Sequence, residues 1–252
     1  MMNLDTVLPS TTSRRQMRTK SRLEPGRYPS GHQRSPDDAE QDKPRARINF
    51  VIALTALTLL VPLMLLIALA IKLTSKGPII YSQPRVGLDR RRDVTSPSNY
   101  RRVQDLGGMP FRIYKFRTMT ADAERDSGAV WAGKDDVRVT WVGRILRKAR
   151  LDELPQFFNV LMGEMSIVGP RPERPAIFAN LKDQVDNYQV RQRARPGITG
   201  LAQISQSYDT SIDDVRSKVE HDLQYIQQQS IKEDFRIMLK TIPVVLFRRG
   251  GW

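Results

Sequence analysis

Between Ile48 and Ile71 the chain runs through 24 residues without a charged side chain. At about 1.5 Å per residue, one straight helix of that length crosses the ~30 Å hydrocarbon core of a bilayer. Two features support a second geometry. Pro62, near the middle, lacks the N–H that an interior helical position needs, and so kinks or breaks a helix. Lys43, Arg45 and Arg47 precede the segment while Lys72, Lys76 and Arg85 follow it, so the positive-inside rule is best met with both ends cytoplasmic. A break at Pro62 leaves halves of roughly 21 and 14 Å, each too short to span alone. The sequence therefore predicts a membrane helix over 48–72 that is re-entrant or spanning.

The flanks set the domain plan. Residues 1–47 are polar and rich in Ser, Pro and Arg, which predicts a disordered basic tail. The apolar run starts too late for a signal peptide. Residues 73–252 read as one α+β domain, mostly helical, with a small β element and amphipathic helices suited to a membrane interface. A turn at Gly77-Pro78 opens a short strand ending near Gln83. Residues 88–108, with five arginines and turn signals at Ser96-Pro97 and Gly107-Gly108, read as a polar surface insert. Phe111 to Met119 alternates as a half-buried strand does, with Phe111, Ile113 and Lys115 on one face and Arg112, Tyr114 and Phe116 on the other. Trp141 to Ala149 is a basic amphipathic helix whose Arg144, Arg147 and Lys148 suit a membrane surface or phosphates. Helices follow over Pro175 to Arg193, Ser217 to Gln229 and Ile231 to Phe247, the last suited to the interface or to the domain core.

Composition narrows the chemistry. Lys and Arg number 41 against 27 Asp and Glu, a net charge of +14 that suits a polyanionic partner. The chain has no cysteine, which excludes disulfides, thiolate metal sites and a catalytic thiol. His32 and His221 are its only histidines, so a metal would be a hard cation on carboxylates and phosphates, Mg2+ or Mn2+. Against that background Asp152 and Glu153 stand out, at the start of a short helix that admits Pro155 in its first turn and stops at Gly163. Adjacent carboxylates at such a start are the ordinary signature of an N-cap. The same position, rich in unsatisfied N–H groups, keeps a carboxylate ionised and able to act as a nucleophile or hold a cation. Lys115, Arg117 and Arg150 are placed to meet a diphosphate. In Pro170-Arg171-Pro172 two prolines restrict the backbone and aim one guanidinium, which suits phosphate recognition.

Taken together, the blocks IKLTSKGPIIYSQPRVG, PFRIYKFRTM, VGRILRKARLDELPQFFNVLMGEMSIVGPRPE and RARPGITGLAQI resemble the bacterial sugar transferase family, of the small monotopic polyprenyl-phosphate phosphoglycosyl transferase class. The resemblance runs from about Arg47 to Phe247. It implies transfer of a sugar-1-phosphate from a nucleotide sugar, usually a UDP-sugar, to undecaprenyl phosphate at the cytoplasmic face of the bacterial inner membrane. That is the first membrane step of an exopolysaccharide, O-antigen or related glycan. By the same resemblance Asp152 is the nucleophile, Glu153 holds the metal, and Asp222 and Arg195 match further family positions that bind substrate or assist the site. Partners implied are the two substrates, anionic membrane lipid, a second copy of the chain and later enzymes of the glycan pathway.

Two departures bear on this. The family commonly carries Ser before the helix-breaking proline, where this chain has Val61, and the 88–108 insert replaces a tight turn. The length resembles the minimal catalytic unit rather than the larger relatives with further membrane helices. The basic charge alone also fits a nucleic-acid binder, but no nucleic-acid motif accompanies it, and the apolar segment argues against one. Charge of this sign equally serves a membrane enzyme with phosphorylated substrates.

Overall fold

A computed structural model of the chain describes residues 36–89, 107–121, 123, 136–206 and 211–247. The 1–35 part of the expected tail and nearly all of the 88–108 insert lie outside these residues. Helix α1 (Pro36–Thr74) takes in the whole apolar segment and begins twelve residues before it, so the end of the segment read as tail is helical. It also runs unbroken through Pro62, which corrects the expectation of two separate halves. Proline removes the bond its own nitrogen would make to the carbonyl of Thr58 and crowds that carbonyl, a local cost borne by the surrounding leucines and alanines, which are strong helix formers.

The antiparallel pair β1 (Ile80–Val86) and β2 (Pro110–Phe116) follows, in register from Ile80 opposite Phe116 to Val86 opposite Pro110. Next come α2 (Trp141–Lys148), a 3-10 turn (Leu151–Glu153), α3 (Gln156–Leu161) and β3 (Ser166–Val168). Where one helix was expected over 175–193 there are two pieces, α4 (Pro175–Leu181) and a 3-10 segment (Tyr188–Arg193). Turns over 182–187 separate them, and Asn187, at φ 59°, is the left-handed residue that starts the second piece. Strand β4 (Gly197–Thr199) lies parallel to β3, then α5 (Leu201–Ser205), α6 (Ile212–Gln228) and α7 (Ile231–Phe247) complete the order. Helix α6 starts five residues earlier than its periodicity indicates. Ser211 and Asp214 form a reciprocal capping box there, Oγ accepting from the Asp214 amide and the Asp214 carboxylate from the Ser211 amide.

Among the described residues, α1 enters two apolar clusters. Ala53 is fully buried with Phe111, Ile113, Val160, Met165, Ile167, Tyr225 and Ile237. Ile67 and Ile71 pack with Phe116, Val142 and Leu146. Phe116 is thus buried although it lies on the strand face opposite Phe111 and Ile113, because β2 is covered on both sides. Between these contacts Leu57 is buried, but one face of α1 is open: Leu59 is 74% exposed, and Leu65 and Leu66 nearly as much.

Polar ties at both ends fix α1 to the same domain. Arg45 donates through Nε and Nη2 to the Asp234 carboxylate at 3.0 and 2.8 Å, and through Nη2 to the Tyr225 hydroxyl at 2.7 Å. Asn49 Oδ1 accepts from the Ile167 amide at 3.0 Å. At the other end the carbonyls of Ser75 and Lys76 accept from Arg117 at 2.9 and 2.5 Å. Removing one partner of a buried pair strands the other, at a cost of about 3 kcal/mol. Arg45→Ala is expected to lower thermal stability in detergent by an amount of that order, and Arg45→Met with Asp234→Leu to recover most of it; equal losses in both would disprove this assignment.

Candidate active site

The acidic pair sits where the chain turns from α2 into α3. Helix α2 is capped by the Thr140 hydroxyl on the Gly143 amide and ends at Ala149. Arg150 then adopts φ 53°, redirecting the backbone into the 3-10 turn that carries Asp152 and Glu153. Pro155 occupies the N-cap of α3, so the carboxylates precede that helix and neither caps it, which corrects the N-cap expectation. Asn159, fully buried on α3, locks this unit to β2: its Oδ1 accepts from the Tyr114 amide and its Nδ2 donates to the Arg112 carbonyl at 2.7 Å.

Both carboxylates are 8% exposed, but they are treated differently. Glu153 Oε1 accepts from Lys115 Nζ at 2.7 Å and from Arg171 Nη2 at 2.8 Å. Burial opposes its charge, yet Arg171 and Lys115, helped by Arg150, hold its pKa well below the usual carboxylate value. Asp152 has no hydrogen-bond partner among the described residues. Burial pushes its pKa up against the opposing field of Lys115, the Glu153 charge adds to the rise, and Arg147 and Arg171 work against it. The expectation that both would be kept ionised by a helix terminus is therefore corrected. Fixed cations stabilise the charge on Glu153, and Asp152 is the more basic of the two.

Arg171 owes its position to a turn held at every carbonyl. The Pro170 oxygen accepts from the Gly197 amide at 2.9 Å, and the Arg171 oxygen from Arg191 Nη2 at 3.0 Å. The Pro172 oxygen accepts from Arg85 Nη1 at 3.0 Å and the Glu173 oxygen from the Val86 amide at 2.9 Å. Gly169 and Gly197 allow the closest approach, since a Cβ on Gly169 would collide with the Arg195 carbonyl and one on Gly197 with the Gly169 amide.

The structure thus brings together Asp152, Glu153, Lys115, Arg150 and Arg171, with Pro170 and Pro172 framing the turn. It directs three other expected residues elsewhere. Arg117 is buried against Ser75 and Lys76 at the end of α1. Arg195 lines a polar cleft with Arg45, Asn49 and Ser166. Asp222, 1% exposed, is paired with Arg191 at 2.7 Å rather than open to a ligand. Sequence reasoning placed Arg147 on a general phosphate or membrane face; its Nε is tied to Thr118 Oγ1 at 2.9 Å and its charge acts on Asp152. Arg191, Arg85 and Asn159 were missed, because nothing in their local pattern distinguishes them from surface residues.

Fold and site together define a membrane-associated α+β protein whose centre is an acidic pair enclosed by cations from a strand, a helix and a proline-braced turn. The chain belongs to the bacterial sugar transferase family, whose profile matches residues 42–248. It is 42% identical over 204 residues to a UDP-N-acetylgalactosamine-undecaprenyl-phosphate N-acetylgalactosaminephosphotransferase of Aeromonas hydrophila, covering 81% of this chain and 44% of that protein. A UDP-glucose:undecaprenyl-phosphate glucose-1-phosphate transferase of Klebsiella pneumoniae is 39% identical over 196 residues, covering 77% and 38%. The exopolysaccharide production protein PSS of Rhizobium leguminosarum is 36% identical over 205 residues, covering 79% and 94%. The match therefore spans less than half of the first two relatives and nearly all of the third.

Glu173 supplies a check on the electrostatics of the turn. Burial disfavours its charge, but Lys218, 2.8 Å away, and Arg191 lower its pKa from 4.5 to about 2. A carboxylate with a lowered folded-state pKa contributes stability above its unfolded pKa and loses it as pH falls toward the folded value; here that is about 3 kcal/mol. Glu173→Gln is expected to unfold at lower temperature than wild type at pH 7, with the gap closing as pH drops from about 5 toward 2. A constant gap would contradict the pairing.

Proposed function

We propose that this protein transfers a sugar-1-phosphate from a UDP-sugar to undecaprenyl phosphate at the cytoplasmic face of the bacterial inner membrane, starting an exopolysaccharide or related glycan. The observation that carries this reading is Asp152: buried, unpartnered among the described residues, and surrounded by cations whose direct ion pairs go to Glu153 instead. A carboxylate in that state is desolvated and basic enough to attack, once ionised, while the cations meet the phosphate oxygens. An Asp152 oxygen bonds to the phosphorus bearing the sugar, and the bond from that phosphorus to the bridging oxygen breaks. UMP leaves with the electron pair. A phosphate oxygen of undecaprenyl phosphate then attacks the same phosphorus, giving the polyprenyl-diphosphate sugar and returning Asp152 to carboxylate.

The residues present fit a hard divalent cation. Glu153 makes both its ion pairs through Oε1, leaving Oε2 without a hydrogen bond among the described residues. No group of three or more His, Cys, Asp or Glu that would hold an ion alone is gathered among those residues. Mg2+ is characteristically held by one or two carboxylates plus substrate phosphates, which suits Glu153 with Asp152 beside it. When bound, Mg2+ or Mn2+ would neutralise phosphate oxygens as charge moves to the leaving group.

The membrane geometry follows from α1. A spanning helix parts its two ends by the bilayer thickness, whereas Arg45, Asn49, Ser75 and Lys76 all bond to one charged domain. These ties support an arrangement in which both ends of α1 stay on the same side of the membrane. Cysteines at Ser35 and Ser82 of this cysteine-free chain are expected to react alike with an impermeant thiol reagent from the cytoplasmic side; opposite labelling would sink the topology.

For the reaction, detergent-purified protein with undecaprenyl phosphate, Mg2+ and a panel of UDP-sugars is expected to release UMP, and chelation to stop it. Asp152→Asn is expected to lose at least a thousandfold in rate. Because burial raises the Asp152 pKa, the acid limb of kcat/KM should lie above the ordinary aspartate value of about 3.9, with activity falling as pH drops through the raised value. Unchanged turnover in Asp152→Asn would refute the covalent route.

A further inference from the structure

We propose that Arg191 and Asp222 are positioning residues for this transfer, aiming the Arg171 guanidinium through its own backbone while touching neither substrate nor the acidic pair. The inference rests on the transferase reading above and assigns Asp222 a different task from direct substrate contact.

Arg191 is among the largest fully buried side chains, 1% exposed, with Nε donating to Asp222 Oδ2 at 2.7 Å and Nη2 to the Arg171 carbonyl at 3.0 Å. Its guanidinium carbon stands 5.0 Å from the centre of the Tyr188 ring. A buried ion pair is weak evidence for stability, because apolar residues of similar volume often serve as well or better. What an apolar pair cannot do is donate a hydrogen bond to the Arg171 oxygen. Arg191 spans that gap as a fork, with one nitrogen on Asp222 and the next on the carbonyl, so Asp222 fixes the plane from which the second bond is made.

Of the four braced carbonyls, Arg171's belongs to the residue whose side chain reaches the site. Rotation of that peptide would swing the guanidinium away from Glu153 Oε1, 2.8 Å from Nη2. The Arg171 side chain is 30% exposed, so a face of it remains open to an incoming anion while its root is held. Misplacement of a reacting or charge-stabilising group by about 1 Å costs on the order of a hundredfold in rate. Lysine at position 191 keeps the charge opposite Asp222 but is a single point donor, unable to reproduce the fork.

The test is a kinetic double-mutant cycle on the full chain in detergent, following UMP release with Mg2+, undecaprenyl phosphate and the active UDP-sugar. Arg191→Lys and Asp222→Asn are each expected to lower kcat, normalised to the folded fraction, by roughly ten- to a hundredfold with donor KM little changed, while Asp222→Asn also lowers the melting temperature because it leaves the buried Arg191 charge unpaired. In an Arg171→Ala background, adding Arg191→Lys is expected to cost nothing more, since its effect runs through the missing side chain. Arg171→Gln, which likewise removes the charge to be aimed, serves as the background if Arg171→Ala has no measurable turnover. Losses that multiply in either background, or that follow only the folded fraction, would overturn the positioning role while leaving the transferase standing. A wild-type protein that folds and releases no UMP with any donor would instead overturn the transferase reading, and this inference with it.

Discussion

A buried carboxylate has to be neutralised by partners already in place, and Glu153 is the one around which this domain closes. Desolvating its charge costs several kcal/mol unless cations meet it at hydrogen-bond distance. Lys115 comes from β2 and Arg171 from the turn after β3, and both contact the same oxygen. Each is held in turn, β2 by its pairing with β1 and by Asn159, the turn by four donors from three segments. One ionised oxygen thus requires the strand pair, the α2–α3 connection and the proline-braced turn to be assembled at once. Asp152, one residue away, is excluded from that pairing and keeps a separate protonation behaviour. Two neighbouring carboxylates in unlike surroundings is how one site provides two chemical roles.

The membrane segment is integrated by the same logic. An apolar helix could associate with the domain through leucine contacts alone, in any rotation. Arg45 and Asn49 at one end and the Ser75 and Lys76 carbonyls at the other remove that freedom, because each leaves a buried polar group unsatisfied if the helix turns. Arg117, expected at the diphosphate, is consumed by this task. Its neighbour two residues back on the strand, Lys115, points into the site instead.

Much of this was legible from residues alone, and the failures share a cause. The apolar run, the β1–β2 hairpin, the acidic pair and the proline-flanked arginine carry local signatures of period, punctuation or restricted backbone. The division of the 175–193 helix was hidden because neither the turns over 182–187 nor the left-handed Asn187 that closes them carries a Gly or Pro signal. The persistence of α1 through Pro62 depends on the helix formers on either side outweighing one lost bond. The roles of Arg191 and Asp222 were invisible for a different reason: they are 31 residues apart, and a charged pair shows its meaning only when both members are seen buried. The raised pKa of Asp152 likewise comes from enclosure, not from its neighbours in the chain.

The shared oxygen of Glu153 has a consequence for affinity. Lys115 and Arg171 are engaged before any anion arrives, so a diphosphate entering the proposed site exchanges one anionic partner for another rather than filling vacant charge. The net gain is the difference between two ion pairs in the same medium, which makes for modest retention of the donor. Any phosphate leaving that site would meet the same exchange, with Glu153 an internal competitor that returns the cations to their resting pair. Built this way, a very basic protein keeps the cations of its site from being held by the phosphates of its surroundings.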